Sequence, residues 1–236
     1  MDDIAFEMID EIDSTSDALK RRAETVAVGE FALLARRQTG GRGRLKRRWE
    51  TIDGNLHLSV LVRPGPLRWP GHWSLLAGVA LAQAVAACLP DAADLRLKWP
   101  NDLMLGEGKL AGILAEAGDH GAPWLVIGFG VNLAGAPVGL GRATSCLADH
   151  APPPQPEAFA RRLLAIFQAW RQRYAAEGFD VVRAAWLERA PALGQVLCVR
   201  SGGEVVEGGF AGLSSTGGLL LDTSAGLVTI VAGELA

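Results

Sequence analysis

The segment Arg36 to Arg48, RRQTGGRGRLKRR, constrains this chain more than any other stretch, because it suits neither a helix nor a buried strand. It carries seven of the 23 Lys and Arg residues, contains no acid, and is interrupted by Gly40, Gly41 and Gly43. A helix displaying that many cations would avoid glycine, whereas a loop wrapped around an anion would use it. Glycine admits φ > 0 and lets backbone N–H groups approach a ligand closely. The segment has no apolar periodicity, so it is expected to be a loop that stays mobile until something negative fills it. A solvated surface loop or a nonspecific nucleic-acid patch accounts for the segment equally well. The choice between these readings falls to the rest of the chain.

That chain has 236 residues and a formal net charge of −3, so the cations are a local feature of a mildly acidic body. A dedicated nucleic-acid binder is usually basic overall. Apolar residues make up 49% and charged residues 21%, the balance of an ordinary globular protein. The longest apolar run, Trp73 to Leu89, is interrupted by Gln83 and rich in alanine, so no membrane span is expected. The start, MDDIAFEMIDEID, is acidic and unlike a secretory or transit peptide. Cys88, Cys146 and Cys198 form neither a metal spacing nor an even disulfide set, which points to reduced thiols in a cytoplasmic protein. The four histidines are scattered, which argues against a His-based metal site.

The patterning predicts an α+β body to about residue 190 and a small all-β part from 191 to 236. Ser14-Thr15-Ser16-Asp17 offers N-caps for a helix through ALKRRAETV. Strands are expected at 31–35, 55–62, 95–98, 110–116 and 124–132, with a hairpin turn at Gly118-Asp119-His120-Gly121. Trp73 to Leu89, apolar nearly all round, reads as a helix buried against the sheet. Residues 134–141 read as a loop, and Ala151-Pro152-Pro153-Pro154 as a firm break. Beyond it, Phe159, Leu163, Ile166, Phe167, Trp170 and Tyr174 trace an amphipathic helix, followed by a second from Phe179 to Arg189. From Gly194 onward, short strands punctuated by Gly-Gly and Ser-Gly suggest a small β-barrel.

Three local signals suggest chemistry. In Lys98-Trp99-Pro100-Asn101-Asp102, proline forces a turn at a strand end and fixes a lysine beside an amide and a carboxylate. A Trp-Pro packing corner with a capping Asp is the plainer reading. Lys109 opens KLAGILAE, with Gly112 where something approaches the backbone; an edge lysine and a bulge glycine read it as well. In VIGFGVN, residues 126–132, alternating glycines clear one face of a strand for a flat ligand or for close sheet packing.

Taken together and in order, GRGR…RW, KWPND, KLAGILAE and GFGVN resemble the biotin protein ligases. Asp13-Ser14-Thr15-Ser16 resembles that family's DSTN element, Gln38-Thr39-Gly40-Gly41 its lead into the basic loop, and Ala143-Thr144-Ser145 its later ATS. Leu45 and Lys46 depart from the family's GRGRRGR-x-W, and Ser16 stands where Asn is common. No helix-turn-helix precedes the body, so a DNA-binding role is not expected.

The resemblance implies a mixed sheet with helices on one side plus an SH3-like barrel. It implies activation of biotin by ATP as biotinyl-5′-AMP and transfer to a lysine of a biotin carboxyl carrier protein. Lys98, Arg42 and Arg44 would be catalytic, with Lys98 bridging carboxylate and α-phosphate. Biotin would be held by Ser14, Thr15, Ser16, Gln38, Gly41, Arg42, Lys98, Gly112 and Gly128. The nucleotide would meet Arg44, Arg47, Trp49, Lys109, Asn132, Ala143 and Thr144, under a second lid from 134 to 144. Mg²⁺ would be held mainly by phosphates, with Asp102 as the protein-side candidate. A lipoate or octanoate ligase relative and a non-catalytic nucleic-acid module are the alternatives. Edge strands offer a route to a homodimer, and no residue decides whether it forms.

Overall fold

A computed structural model describes residues 4–25, 29–64, 70–92, 94–119 and 123–235. Its first sheet has seven strands: β1 (Ala5–Ile12), β2 (Phe31–Gln38), β3 (Leu56–Val62), β4 (Leu95–Lys98), β5 (Asp102–Leu105), β6 (Gly108–Asp119) and β7 (Pro123–Val131), in the order β1-β2-β3-β7-β6-β5-β4. β1 and β2 run parallel, joined through helix α1 (Thr15–Thr25); the other neighbours are antiparallel. The sheet is therefore mixed, as expected. The turn foreseen at 118–121 lies partly outside the described residues, but the ladder running to Asp119↔Pro123 makes β6 and β7 a hairpin.

Alternation along each strand sorts the side chains onto two faces. On one face, Leu56, Leu58, Val60, Ile127, Phe129 and Val131 pack under α2 (Pro70–Ala86), α3 (Pro156–Glu177) and α4 (Phe179–Leu187). α2 is apolar all round because it is enclosed by the sheet, α3 and α4. Helices were expected on this side only. However, α1 lies on the other face, where Leu19 and Ala23 join Leu33, Trp124 and Val126 in a second cluster. Burying the hydrophobic stripe of α1 there closes one end of the open face and sets its N-terminus beside the middle strands.

The second sheet comprises β8 (Val196–Ser201), β9 (Glu204–Leu213), β10 (Leu219–Thr223), β11 (Gly226–Ile230) and β12 (Glu234–Leu235), ordered β11-β10-β9-β8-β12. Its end strands are not paired with each other, so the expected barrel is an open antiparallel sheet. Two buried contacts dock it on the body. Trp99 Nε1 donates to the Gly217 carbonyl at 3.1 Å, and the His72 ring stacks on Phe179 at 3.6 Å with Nε2 3.1 Å from the Ser215 carbonyl oxygen. Trp99 is thus a packing anchor between the two sheets.

Candidate active site

The face not covered by α2–α4 carries a cleft. One end is neutral and hydrogen-bonding. The N-terminus of α1 supplies Ser14, Thr15 and Ser16, with the Ser14 hydroxyl accepting from the Asp17 amide as a cap at 3.3 Å. Gln38 Oε1, at the end of β2, accepts from both the Thr15 amide (2.8 Å) and the Thr15 hydroxyl (2.9 Å). With its proton committed to Gln38, Thr15 Oγ1 accepts from Ser59 at 2.7 Å, and Ser59 in turn accepts from Ser16 at 2.9 Å. The hydroxyl chain therefore has one direction. It leaves lone pairs on Ser16 and the Gln38 amide N–H groups for a ligand. Ser59 was not singled out in the sequence, although the alternation of NLHLSVLV places it and His57 on this face, opposite Gly128 and Gly130.

The other end is cationic. Arg42, Arg44, Arg47, Arg48, Lys109 and Arg142 line it, with Asp102 and Glu234. The basic segment, expected as a loop, has defined backbone pairing. It is a hairpin with an Arg42↔Arg48 bridge, a Trp49 amide bond to the Gly41 carbonyl at 2.9 Å and a short 3₁₀ turn over Arg44–Lys46. Carboxylates of the protein itself offset the repulsion among its charges. Asp17 grips the Arg42 guanidinium in bidentate fashion, Glu116 lies 3.5 Å from it, and Lys20 bonds both acids. The Arg42 hydrogen bond holds the Asp17 carboxyl far below its ordinary range, while the same pairing raises Arg42. Arg44 donates to Asn101 Oδ1 (3.3 Å) and to the Gly233 carbonyl (3.0 Å), and Arg47 pairs with Glu234.

Of the two lysines singled out, Lys98 pairs with Asp102 across the β4–β5 ladder, and Lys109 lines the cleft with its Nζ 2.5 Å from Asp102 Oδ1. A bulge turns Lys109 there. Leu103 pairs with Ala111 but Met104 pairs with Lys109, so Leu110 is an extra residue and is buried in the core with Ala111. Lys109 and Gly112, three apart, would face opposite ways on a regular strand; the bulge turns both to the cleft. Burial lowers the Lys109 ammonium from its ordinary pKa, and Asp102 opposes that shift. Asp102, the expected metal ligand, is thereby engaged by a cation. Among the described residues, no group of three or more His, Cys, Asp or Glu is set to hold a metal ion.

The glycine face is real but is shared differently. A Cβ on Gly130 would lie 2.5 Å from Trp49 Cε2 and one on Gly112 3.2 Å from Trp49 Cζ3, so the indole rests against both α-carbons. A Cβ on Gly128 would lie 2.7 Å from the Ser16 hydroxyl. Gly128, but not Gly41, lines the cleft. Asn132, foreseen as an adenine contact, is 2% exposed; its amide donates to the carbonyls of Ser145 (3.0 Å) and Lys109 (3.4 Å) and therefore organises the backbone. It lines a smaller adjoining cavity with Trp49, Lys109, Arg142 and Thr144. Ala143 contributes its carbonyl to the Lys109 amide at 3.1 Å, and Thr144 donates to the Pro137 carbonyl at 2.6 Å, pinning the 134–144 segment beside this cavity. Arg142 was missed in the sequence, although it adjoins the Ala143-Thr144 pair.

One cleft thus joins a neutral hydrogen-bonding end to a cationic end, with Trp49 and Leu114 among its walls. Residues 8–132 match the Biotin/lipoate A/B protein ligase family, and residues 193–235 match the Biotin protein ligase C terminal domain. The chain belongs to this ligase family. It is similar to the biotin–[acetyl-CoA-carboxylase] ligase of Paracoccus denitrificans, 35% identical over 237 residues that cover 97% of this chain and 98% of that one. The ligase of the same name from Mycobacterium tuberculosis is 34% identical, covering 94% and 84%. Among solved structures, a biotin protein ligase from Aquifex aeolicus in complex with biotin and ATP superposes with a TM-score of 0.85 at 25% identity, covering 98% of this chain and 97% of that one.

Proposed function

We propose that this ligase-family chain is an ATP-dependent biotin protein ligase. The observation that carries the proposal is the polarity of the cleft. Biotin has a neutral ureido ring at one end and a carboxylate at the other, and the cleft offers hydroxyls and an amide at one end and cations at the other. The Gln38 amide would donate to the ureido oxygen, while the oriented hydroxyl chain leaves Ser16 to accept an N–H. The apolar walls would take the thiophane ring and valeryl chain.

In the first step a biotin carboxylate oxygen attacks the α-phosphorus of ATP. The bond to the bridging oxygen breaks and pyrophosphate leaves, giving biotinyl-5′-AMP. Two unit charges 4 Å apart interact by about 4 kcal/mol at an effective dielectric constant of 20, so bringing two anions together needs fixed cations. We assign that task to Lys109 in place of Lys98, since its ammonium reaches the cleft and Asp102 holds it charged. Arg44, Arg47 and Arg142 would flank the phosphates; Trp49, Thr144 and the Asn132-organised lid would border the base. Mg²⁺ would arrive with ATP, held by phosphates and water. In the second step a neutral lysine amine of a biotin carboxyl carrier domain attacks the acyl carbon. An N–C bond forms, AMP leaves with the electron pair of the anhydride bond, and the amine loses a proton.

We place the boundary between the catalytic part and the C-terminal part near residue 190, and the reaction in the cytoplasm, in keeping with three free cysteines. The match of residues 193–235 to a biotin ligase C-terminal domain favours biotin over lipoate. The inward pairing of Arg42, Arg44 and Arg47 argues against a nucleic-acid surface. The test is biotin-dependent exchange of labelled pyrophosphate into ATP, with lipoate offered in parallel. Absence of biotin-dependent exchange would overturn the proposal.

A further inference from the structure

The second sheet reaches into the cleft. Glu234, on the two-residue strand β12, lines the cleft and pairs with Arg47, 187 residues away in sequence. Beside it, the Gly233 carbonyl accepts from Arg44 at 3.0 Å, while the other arm of the same guanidinium reaches Asn101 at 3.3 Å. The platform for these contacts is firm. β12 is laddered to β8 through Glu234↔Arg200 and Leu235↔Val199, and Ser201 Oγ donates to the Ala232 carbonyl at 2.6 Å. Gly233 sits so tightly on β8 that a Cβ there would lie 2.9 Å from the Arg200 carbonyl oxygen. The sheet is in turn fixed to the body through Trp99 and Gly217.

We propose that Glu234 is a positioning residue, through which the C-terminal sheet clasps the basic hairpin shut over the acyl-adenylate and sets how long that intermediate is retained. The inference rests on the ligase reading above. Nothing in the contacts places Glu234 on a reacting atom. It acts through Arg47, and the neighbouring carbonyl acts through Arg44. A mixed anhydride that escapes before the acceptor lysine arrives is wasted, so lid residence decides the yield of the second step. Asn101 makes the clasp sensitive to the body as well. Its Nδ2 donates to the Ile113 carbonyl at 2.7 Å, so Arg44 spans the floor of the cleft and the C-terminal sheet.

Arg47 is 54% and Glu234 30% exposed, so the pair is partly screened and its loss should change retention by a modest factor. The experiment measures, in the full-length protein, release of biotinyl-AMP relative to its formation for wild type, Glu234→Gln and Glu234→Asp. The Gln variant should release the adenylate about fivefold faster, and the Asp variant should lie close to wild type. The gap between wild type and Gln should close as salt is raised, because an exposed ion pair is screened. Equal release by wild type and Gln overturns the clasp. So do equal, salt-insensitive losses in both variants, which would mark a purely structural role. If the wild type forms no adenylate at all, the ligase reading itself fails.

Discussion

Replacing Lys109 by Met tests the assignment of the central cation and separates two effects that the structure couples. Nζ lies 2.5 Å from Asp102 Oδ1, and the two side chains are 12% and 20% exposed. Deleting the ammonium leaves a largely buried carboxylate without its partner, which costs about 3–5 kcal/mol in comparable buried pairs, less whatever water reaches Asp102. It also removes a preorganised charge from the reacting phosphate, a loss of about 10²–10³-fold in rate. Lys109→Met should therefore melt at lower temperature and lose at least about 10²-fold in biotin-dependent pyrophosphate exchange. Adding Asp102→Asn removes the orphaned charge, so the double variant should regain most of the stability and none of the exchange. Lys98→Ala, at a position that does not line the cleft, should keep exchange within about tenfold of wild type. If Lys109→Met exchanges normally while Lys98→Ala does not, the reasoning is refuted and the sequence-level choice of Lys98 stands.

Gly128→Ala puts a methyl group 2.7 Å from the Ser16 hydroxyl. It should raise KM for biotin at least about tenfold while leaving KM for ATP within about twofold, and equal rises in both would show that the hydroxyl end does not hold biotin. His57 is 1% exposed with both ring nitrogens unpartnered, and burial lowers its pKa to about 4. Because that value lies below the unfolded value of about 6.5, the unfolded chain binds the extra proton. Its contribution to stability is fully present above about pH 6.5 and is lost as pH falls through 4, by about 3 kcal/mol. An NMR titration should give a midpoint near 4 for this ring, and a midpoint near 6.5 would contradict its burial. Leu45 holds φ 55° while 70% exposed, a left-handed conformation that costs a side-chain-bearing residue about 1–2 kcal/mol. Leu45→Asn should therefore gain about 0.5–1 kcal/mol in denaturant unfolding, and a loss would mean that Leu45 makes a compensating contact.

The parts of this molecule that could be read in the sequence are those whose signal is local. The alternation in NLHLSVLV gives β3, and the three-and-four spacing from Phe159 to Tyr174 gives the heart of α3. β1 escaped because it is an edge strand, AFEMIDEI, whose side chains are mostly exposed; Glu7 is met by Arg22 and Glu11 by Arg37 rather than by a core. A period-2 apolar signal needs one buried face, and this strand scarcely has one. Lys98 and Lys109 look alike in sequence because each stands at a strand end. What turns Lys109 to the cleft is the unpaired Leu110 in the β5–β6 ladder, a property of pairing rather than of composition. The backbone bonds of Asn132 were hidden for the opposite reason. A buried amide beside free backbone carbonyls is consumed by them, and only the approach of Ser145 and Lys109 reveals the carbonyls. Closure of the barrel likewise depends on whether β11 meets β12, strands whose meeting no single turn dictates.

The pairing of the cleft's cations has a consequence for how an anion enters. Arg42 is held by Asp17 and Glu116, Lys109 by Asp102 and Arg47 by Glu234, so a phosphate approaching any of the three meets a charge that is already partly neutralised. Binding at these positions exchanges one anion for another, and the gain is a difference between two charge-assisted contacts rather than the whole of one. Arg44 is differently placed, since both of its contacts are to neutral oxygens, of Asn101 and Gly233. Charge-assisted bonds are roughly twice as strong as neutral ones, so Arg44 gains most from turning to a phosphate and displaces no carboxylate in doing so. On the proposed function, that asymmetry would make it the first cation to commit to the nucleotide. Were it to leave Gly233 on nucleotide entry, the Glu234–Arg47 pair would hold the C-terminal sheet to the hairpin until Arg44 returned.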